Sequence, residues 1–190
     1  KWFKASYYTV RREDQVIEAA TQLITESGLA NLRIADVAER AGMTPGHVTY
    51  YFRTKTELLV RSIARSEAAF TDQVEQQIKG IPDPWQRLER YFSLAGASGP
   101  ADRGWVLWLE VWSLAANDSE VARVQEELDA RSRRILRDLI QYGVETNAFV
   151  CEDPLQTAQL MAAVVDGLSI QLTLGARSLD GPGLVKLCMV

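Results

Sequence analysis

Residues 34–52 read IADVAERAGMTPGHVTYYF, and this stretch decides the fold. Ile34, Val37, Ala38 and Ala41 recur at the three-and-four spacing that lines one face of a helix. Gly42 stops that helix. Thr44 offers a side-chain oxygen to the N–H groups of a restarting helix. Pro45 fits its first position, where the missing N–H has no intrahelical partner to lose. The second helix then runs only from about Pro45 to Tyr51. Two short helices joined by Gly42-Met43-Thr44 form a helix-turn-helix, whose second helix is expected to lie in the major groove of DNA.

Upstream, Val16, Ala19, Ala20, Leu23 and Ile24 follow the same helical spacing, and Gly28 ends the run. Three helices over about 45 residues make a marginal unit alone, so docking on a further helix is expected. That helix opens on a capping box, in which Thr54 accepts from the Glu57 N–H while the Glu57 side chain reaches back to Thr54. It continues to about Gln77 before Gly80-Ile81-Pro82-Asp83-Pro84 breaks it. Further helices are predicted near 84–97, 102–117, 119–146 and 154–174, with a weaker one after Gly183. No strand pair is legible. The expected class is all-α: an N-terminal three-helix DNA-binding module at 1–54 (core 12–54), then a helical body at 55–190, whose expected effector-binding and dimerisation role comes from the resemblance given below.

The chain has 190 residues, 47% of them hydrophobic, with 21 basic and 25 acidic side chains and a net charge of −4. An acidic total counts against a nucleic-acid binder until it is divided. Residues 1–65 carry +3 and residues 66–190 carry −7, so one end only suits a polyanion. The two cysteines, Cys151 and Cys188, are expected to be free thiols. No apolar run is long enough for a membrane span and no secretory signal is read, so a cytoplasmic protein is expected. His47 is the single histidine and sits inside the helix-turn-helix. With no CxxC, HExxH or glycine-rich phosphate loop, neither an enzyme nor a metal or cofactor site is expected.

Residues 16–59, VIEAATQLITESGLANLRIADVAERAGMTPGHVTYYFRTKTELL, resemble the TetR family of bacterial transcriptional regulators. The resemblance rests on Ala20…Gly28, Asp36-Val37-Ala38, Ala41 to Gly46, Tyr51-Phe52, and Lys55 with Glu57-Leu58. The C-terminal half is more loosely similar to the betaine-regulator-like subgroup, through Trp105–Trp112, Asn117-Asp118 and Val165-Asp166-Gly167-Leu168. The resemblance implies an all-helical homodimer that binds an inverted-repeat operator and answers to a small-molecule effector. A repressor released by its effector is the expectation. An activator of the same fold and a dimeric ligand-binding protein that ignores DNA are the alternatives. Two positions depart from the family: Arg33 stands where Thr usually caps the second helix, and Thr49 stands where Tyr is common.

Carried over position by position, the resemblance puts Thr44, Pro45, Gly46, His47, Thr49 and Tyr50 on the DNA-facing edge. Arg33, Tyr51 and Lys55 are added as backbone contacts. Thr44 and the exposed N–H groups suit phosphates, Gly46 permits close approach, and His47, Thr49 and Tyr50 offer groups to base edges. Lys55 gains little from the helix dipole in its first turn, so a phosphate is its better partner. Val48 and Phe52 are read as support, and Arg11 and Arg12 as a candidate arm.

In the body, residues 155–174 are apolar on most sides, which requires cover from more than one side. A second subunit is the expected cover, at Leu155, Ala158, Ala162, Ala163, Gly167, Ile170 and Leu174. The candidate effector residues are Phe70, Phe92, Trp105, Trp108, Trp112 and Met161, with Gln73, Glu110, Asp166 and Gln171 as polar contacts. The tryptophan stripe also reads as plain core packing. An apolar or aromatic effector is expected ahead of a cation facing the tryptophans.

Overall fold

In the computed structural model the described residues are 2–189, with side chains described for 12–189. They fold as α1 (Trp2–Ser27), a 3-10 turn (Leu29–Asn31), α2 (Ile34–Arg40), α3 (Pro45–Tyr51), α4 (Lys55–Ile78), α5 (Pro84–Ala95), α6 (Arg103–Ala115), α7 (Ser119–Glu145), α8 (Pro154–Thr173) and α9 (Gly181–Cys188). The all-helical expectation holds, and the weakly read last helix is a full one. It buries Leu184 completely.

The chain divides into two compact units. One comprises residues 1–66 and 107–122, the other 67–106 and 123–190. The first takes in the first half of α4 and most of α6. Its core is Val16, Ala20, Ile24, Leu32, Val37, Val48, Leu58, Leu59 and Ile63, all essentially without solvent contact. Val16, Ala20, Ile24 and Val37 are among the positions the helical spacing selects; Leu23, Ile34 and Ala41, also selected, are half-buried.

The turn between α2 and α3 follows from its residues. Gly42 adopts a φ of +65°, a conformation costly for any side chain with a Cβ. Its N–H bonds the Glu39 carbonyl at 3.1 Å, and the Met43 N–H reaches back to Ala38 at 2.8 Å. This paired closure satisfies carbonyls that the helix end would leave open. Thr44 Oγ1 then accepts the His47 N–H at 3.4 Å, and Pro45 occupies the first helical position. The α4 capping box closes one residue earlier than expected. Thr54 Oγ1 accepts from Glu57 N at 3.0 Å, but Glu57 Oε2 accepts from the Arg53 N–H at 2.9 Å.

The second unit repeats one N-terminal device. Asp83, Asp153 and Asp180 each cap a helix that has proline within its first two positions. Its core holds Leu88, Phe92, Leu136, Ile140, Ala158, Val165, Leu172 and Leu184. Gly96 lies against Leu184, whose Cδ2 would be 2.5 Å from an added Cβ. Ala97 N–H donates to the buried Ser169 Oγ at 3.1 Å. No helix among the described residues is long and apolar enough to cross a membrane.

Candidate functional site

Helix α3 is held by one side and offers the other. Val48 and Phe52 are buried beneath it, while Thr44, Pro45, Gly46, His47, Thr49 and Tyr50 are exposed. Tyr50 is 80% exposed, yet its ring is steadied by Tyr51, edge-on with centroids 5.2 Å apart. Tyr51 is half-buried. An exposed aromatic held in place by a neighbour is costly in water and suited to a partner surface. Thr49 Oγ1 donates within the helix to the carbonyls of Pro45 and Gly46, at 3.2 Å each. Its hydroxyl proton is therefore engaged, and its methyl and remaining lone pair are what it offers outward.

Charge on this unit is sorted between structure and surface. Arg40 pairs with Glu26 at 2.7 Å, and Arg65 pairs with Asp14 at 3.0 Å and Glu18 at 3.8 Å. Arg33, Arg53 and Lys55 are exposed and enter no ion pair among the described residues. Arg33 stands at the α2 N-cap without a side-chain capping bond, as its chemistry requires. Arg53 is a further exposed cation beside the expected residues. It lies in the link between α3 and α4, two residues before Lys55 opens α4. Of the candidate arm, Arg12 is exposed and the Arg11 side chain lies outside the described residues.

The expected effector residues divide between the units. Trp108, Glu110 and Trp112 belong to the first; Phe70, Gln73, Phe92, Trp105, Met161, Asp166 and Gln171 belong to the second. Trp108 and Trp112 are half-buried with ring centroids 5.7 Å apart. Glu110 does not await a ligand with both oxygens: Oε1 accepts the Leu29 N–H at 3.0 Å. Trp105 Nε1 donates to the Ala95 carbonyl at 3.1 Å, and Phe92 is core. Gln73 and Gln171 are corrections. Both are exposed, because each faces away from its unit's interior at its place in the helical turn.

Within the second unit, Glu67, Tyr91, Asp129 and Asp166 form an acidic cluster that the sequence spacing did not reveal beyond Asp166. Glu67 is buried and accepts from Ser132 Oγ at 3.3 Å. Burial, with the Asp129 and Glu67 charges against one favourable Arg133, pushes the Asp166 carboxyl up to about 6. Burial likewise raises Asp129, and burial with Glu67 and Asp166 drives the Tyr91 phenol above its ordinary range. Arg133 is itself shared, bonding Glu126 at 2.6 Å and approaching Asp129 at 3.9 Å. Phe70 stands edge-on to Tyr91, with centroids 6.0 Å apart. A buried carboxyl whose ionisation is disfavoured, near aromatic rings, is chemically suited to an organic cation.

Helix α8 carries a mainly apolar outer face, interrupted by Gln171. Leu160, Val164, Gly167, Gln171 and Leu174 follow alternating spacings of four and three; Leu160 is 64% and Leu174 72% exposed. Leu155 and Ala163 are also exposed, and Ala162 and Ile170 are half-buried. A Cβ added at Gly167 would meet nothing within 4 Å. Ala158 is a correction: it is 0% exposed, packed into the chain's own core on the opposite side of the helix.

A helix-turn-helix head and an all-helical body define the class of one-component helical transcription regulators. Residues 16–61 match the profile of the bacterial regulatory proteins of the tetR family, and residues 84–189 match that of the C-terminal region of BetI-type transcriptional repressors. The chain belongs to the TetR family, with a BetI-type C-terminal region. It is 30% identical over 189 residues to the HTH-type transcriptional regulator BetI of Escherichia coli O9:H4 (strain HS), covering 94% of this chain and 90% of that protein. Among solved structures, it is similar to a putative transcriptional regulator from Saccharomonospora viridis in complex with choline. That match has a TM-score of 0.85 and 24% identity over 95% of this chain and 94% of the other. The fatty acid degradation regulator FadR from Bacillus halodurans has a TM-score of 0.78 and 23% identity, over 93% and 95% of the two chains. Membership assigns a ligand-responsive, DNA-binding regulatory role and no catalytic one.

Proposed function

We propose that the protein is a repressor that grips an inverted-repeat operator as a homodimer and is released by a small organic cation. The acidic cluster of Glu67, Asp129 and Asp166 beside Phe70 and Tyr91 carries the choice of effector. An apolar effector would do nothing for Asp166, whose charged form burial and the neighbouring carboxylates disfavour, whereas a cation lowers the energy of ionising it. The choline held by the Saccharomonospora viridis regulator supports the same chemistry. This reading turns the expected effector from apolar to cationic.

The DNA contacts proposed are Thr44, Gly46, His47, Thr49 and Tyr50 toward the groove, with Arg33, Arg53 and Lys55 toward phosphates. Pro45 and Tyr51 shape and steady the same surface. One recognition helix of seven residues reads too little to be selective, so two are needed, about one duplex turn apart. The outer face of α8 at Leu160, Val164, Gly167 and Leu174 supports pairing with a second copy, Gly167 admitting close helix approach.

Coupling is proposed to run along continuous helices. Residues of α4 and of α6 fall in both units, so Glu67 shares a helix with Lys55, and Trp105 shares one with Glu110. A ligand shifts the DNA-competent arrangement only by its difference in affinity for the two states.

Selection of duplexes from a random pool tests the reading. An inverted repeat is the expected product, with binding weakened in Lys55→Ala and Tyr50→Ala. Failure to enrich any duplex, with the fold intact, would refute the DNA assignment.

A further inference from the structure

The link from α7 to α8 builds a cavity apart from the acidic cluster. Asn147 takes a φ of 57°, and the N–H groups of Ala148 and Phe149 both donate to the Gly143 carbonyl, at 2.8 and 3.1 Å. Phe149 is thereby folded back over the C-terminal end of α7. A Cβ at position 143 would lie 1.9 Å from Phe149 Cδ2, so the ring is seated because Gly143 has none. Trp85 meets Phe149 edge-on, with centroids 4.5 Å apart and 77° between the ring planes. These rings, with Leu88, Ile140, Met161 and Met189, line a cavity of about 570 Å³. That size lies within the range of small-molecule sites.

The deep wall carries no carboxylate; the two that line the space, Glu152 and Asp153, are exposed to water at its rim. Cys151 Sγ lies 3.2 Å from Thr157 Oγ1, and Asp153 Oδ1 accepts the N–H groups of Leu155 and Gln156 at 3.0 Å each. Burial pushes the Cys188 thiol up to about 11, so it carries no charge near neutrality. Glu152 and Gln156 are exposed at the rim. None of Glu67, Asp129 or Asp166 lines the space. A charged ligand would lose water there without a buried partner. A flat neutral ring would instead gain the faces and edges of Trp85 and Phe149.

We propose that this cavity is a second ligand site, taking a neutral one- or two-ring aromatic molecule whose polar group faces the rim at Glu152 and Gln156. It is independent of the cation site proposed above. Its occupant bridges α5, α7, α8 and α9, and so tightens the second unit.

The probe is 1-naphthol, with binding followed calorimetrically and Cys151 accessibility followed by N-ethylmaleimide labelling and mass spectrometry. The full chain is expected to bind it and to label at Cys151 at least about fivefold more slowly when saturated. Ala148→Phe, which fills the cavity, is expected to weaken binding by about tenfold or more with helicity retained. Met189→Trp fills it from the end of α9 and serves if Ala148→Phe does not fold. Tetramethylammonium is expected to leave Cys151 labelling unchanged. Absence of 1-naphthol binding, equal binding to a folded filled variant, lack of protection at Cys151, or protection by tetramethylammonium would each overturn the proposal.

Discussion

The backbone N–H of Leu29 donates to Glu110 Oε1 at 3.0 Å, joining positions 81 residues apart within one unit. Leu29 opens the 3-10 turn between α1 and α2, so the carboxylate of α6 holds the connection that sets the helix-turn-helix. Gly28 completes the fit. Its φ is +79°, and an added Cβ would lie 3.1 Å from the same oxygen.

Glu110→Ala is therefore expected to destabilise the protein by about 1–3 kcal/mol, the range for losing a hydrogen bond to a charged acceptor and leaving its donor unmet. Glu110→Gln keeps an acceptor oxygen and should recover most of that loss. Urea unfolding of the two variants checks this. DNA affinity is expected to fall in the alanine variant more than in the glutamine one.

Much of the head was legible because its signals are local. Gly42, Thr44, Pro45 and the apolar positions of α2 each constrain neighbours within a turn, and the structure realises them nearly residue for residue. Glu110 was legible only as a polar residue in a tryptophan-rich helix. Its partner is an amide distant in sequence, which no spacing rule reaches. The acidic cluster failed for the same reason, since Glu67, Asp129 and Asp166 come from three helices. In α8 the apolar residues surround the helix, so periodicity alone could not say that Ala158 faces inward while Leu160 and Val164 face out.

Asp166 gives the body a pH signature. Its carboxyl titrates at about 6 in the fold against 3.8 ordinarily. Below pH 4 it is protonated in both states and there is no penalty. Between about 4 and 6 the folded state keeps a proton the unfolded chain has lost, so stability falls as pH rises, and above 6 the penalty is constant. Asp166→Asn should gain about 2 kcal/mol at pH 7, allowing for solvent screening, and almost nothing at pH 4. Thermal unfolding across that interval measures it.

The α8 face yields a prediction about assembly. Val164→Asp puts a charge in the proposed seam without touching the buried core, so a folded monomer is expected at concentrations where the wild type is a dimer. Gly167→Leu should act the same way through bulk, since the space beside it within the chain is open. Sedimentation and helicity together separate lost assembly from lost folding.

On DNA, Lys55 and Tyr50 should fail differently. Removing Lys55 weakens binding to all sequences and lowers the log–log salt slope by roughly 1 for each phosphate that the ammonium neutralises. Removing Tyr50 costs about 1–3 kcal/mol at particular base pairs and relaxes selectivity there. Both residues are exposed, so stability should stay within about 0.5 kcal/mol of wild type.

The most direct measurement is release from the selected operator. Fluorescence anisotropy of a labelled inverted-repeat duplex is followed while tetramethylammonium chloride is added, against sodium chloride at the same ionic strength. The proposed mechanism predicts release by the organic cation beyond the sodium control, greater at pH 7 than at pH 5, and lost in Asp166→Asn. Identical curves for the two salts, or release that persists unchanged in Asp166→Asn, would contradict it.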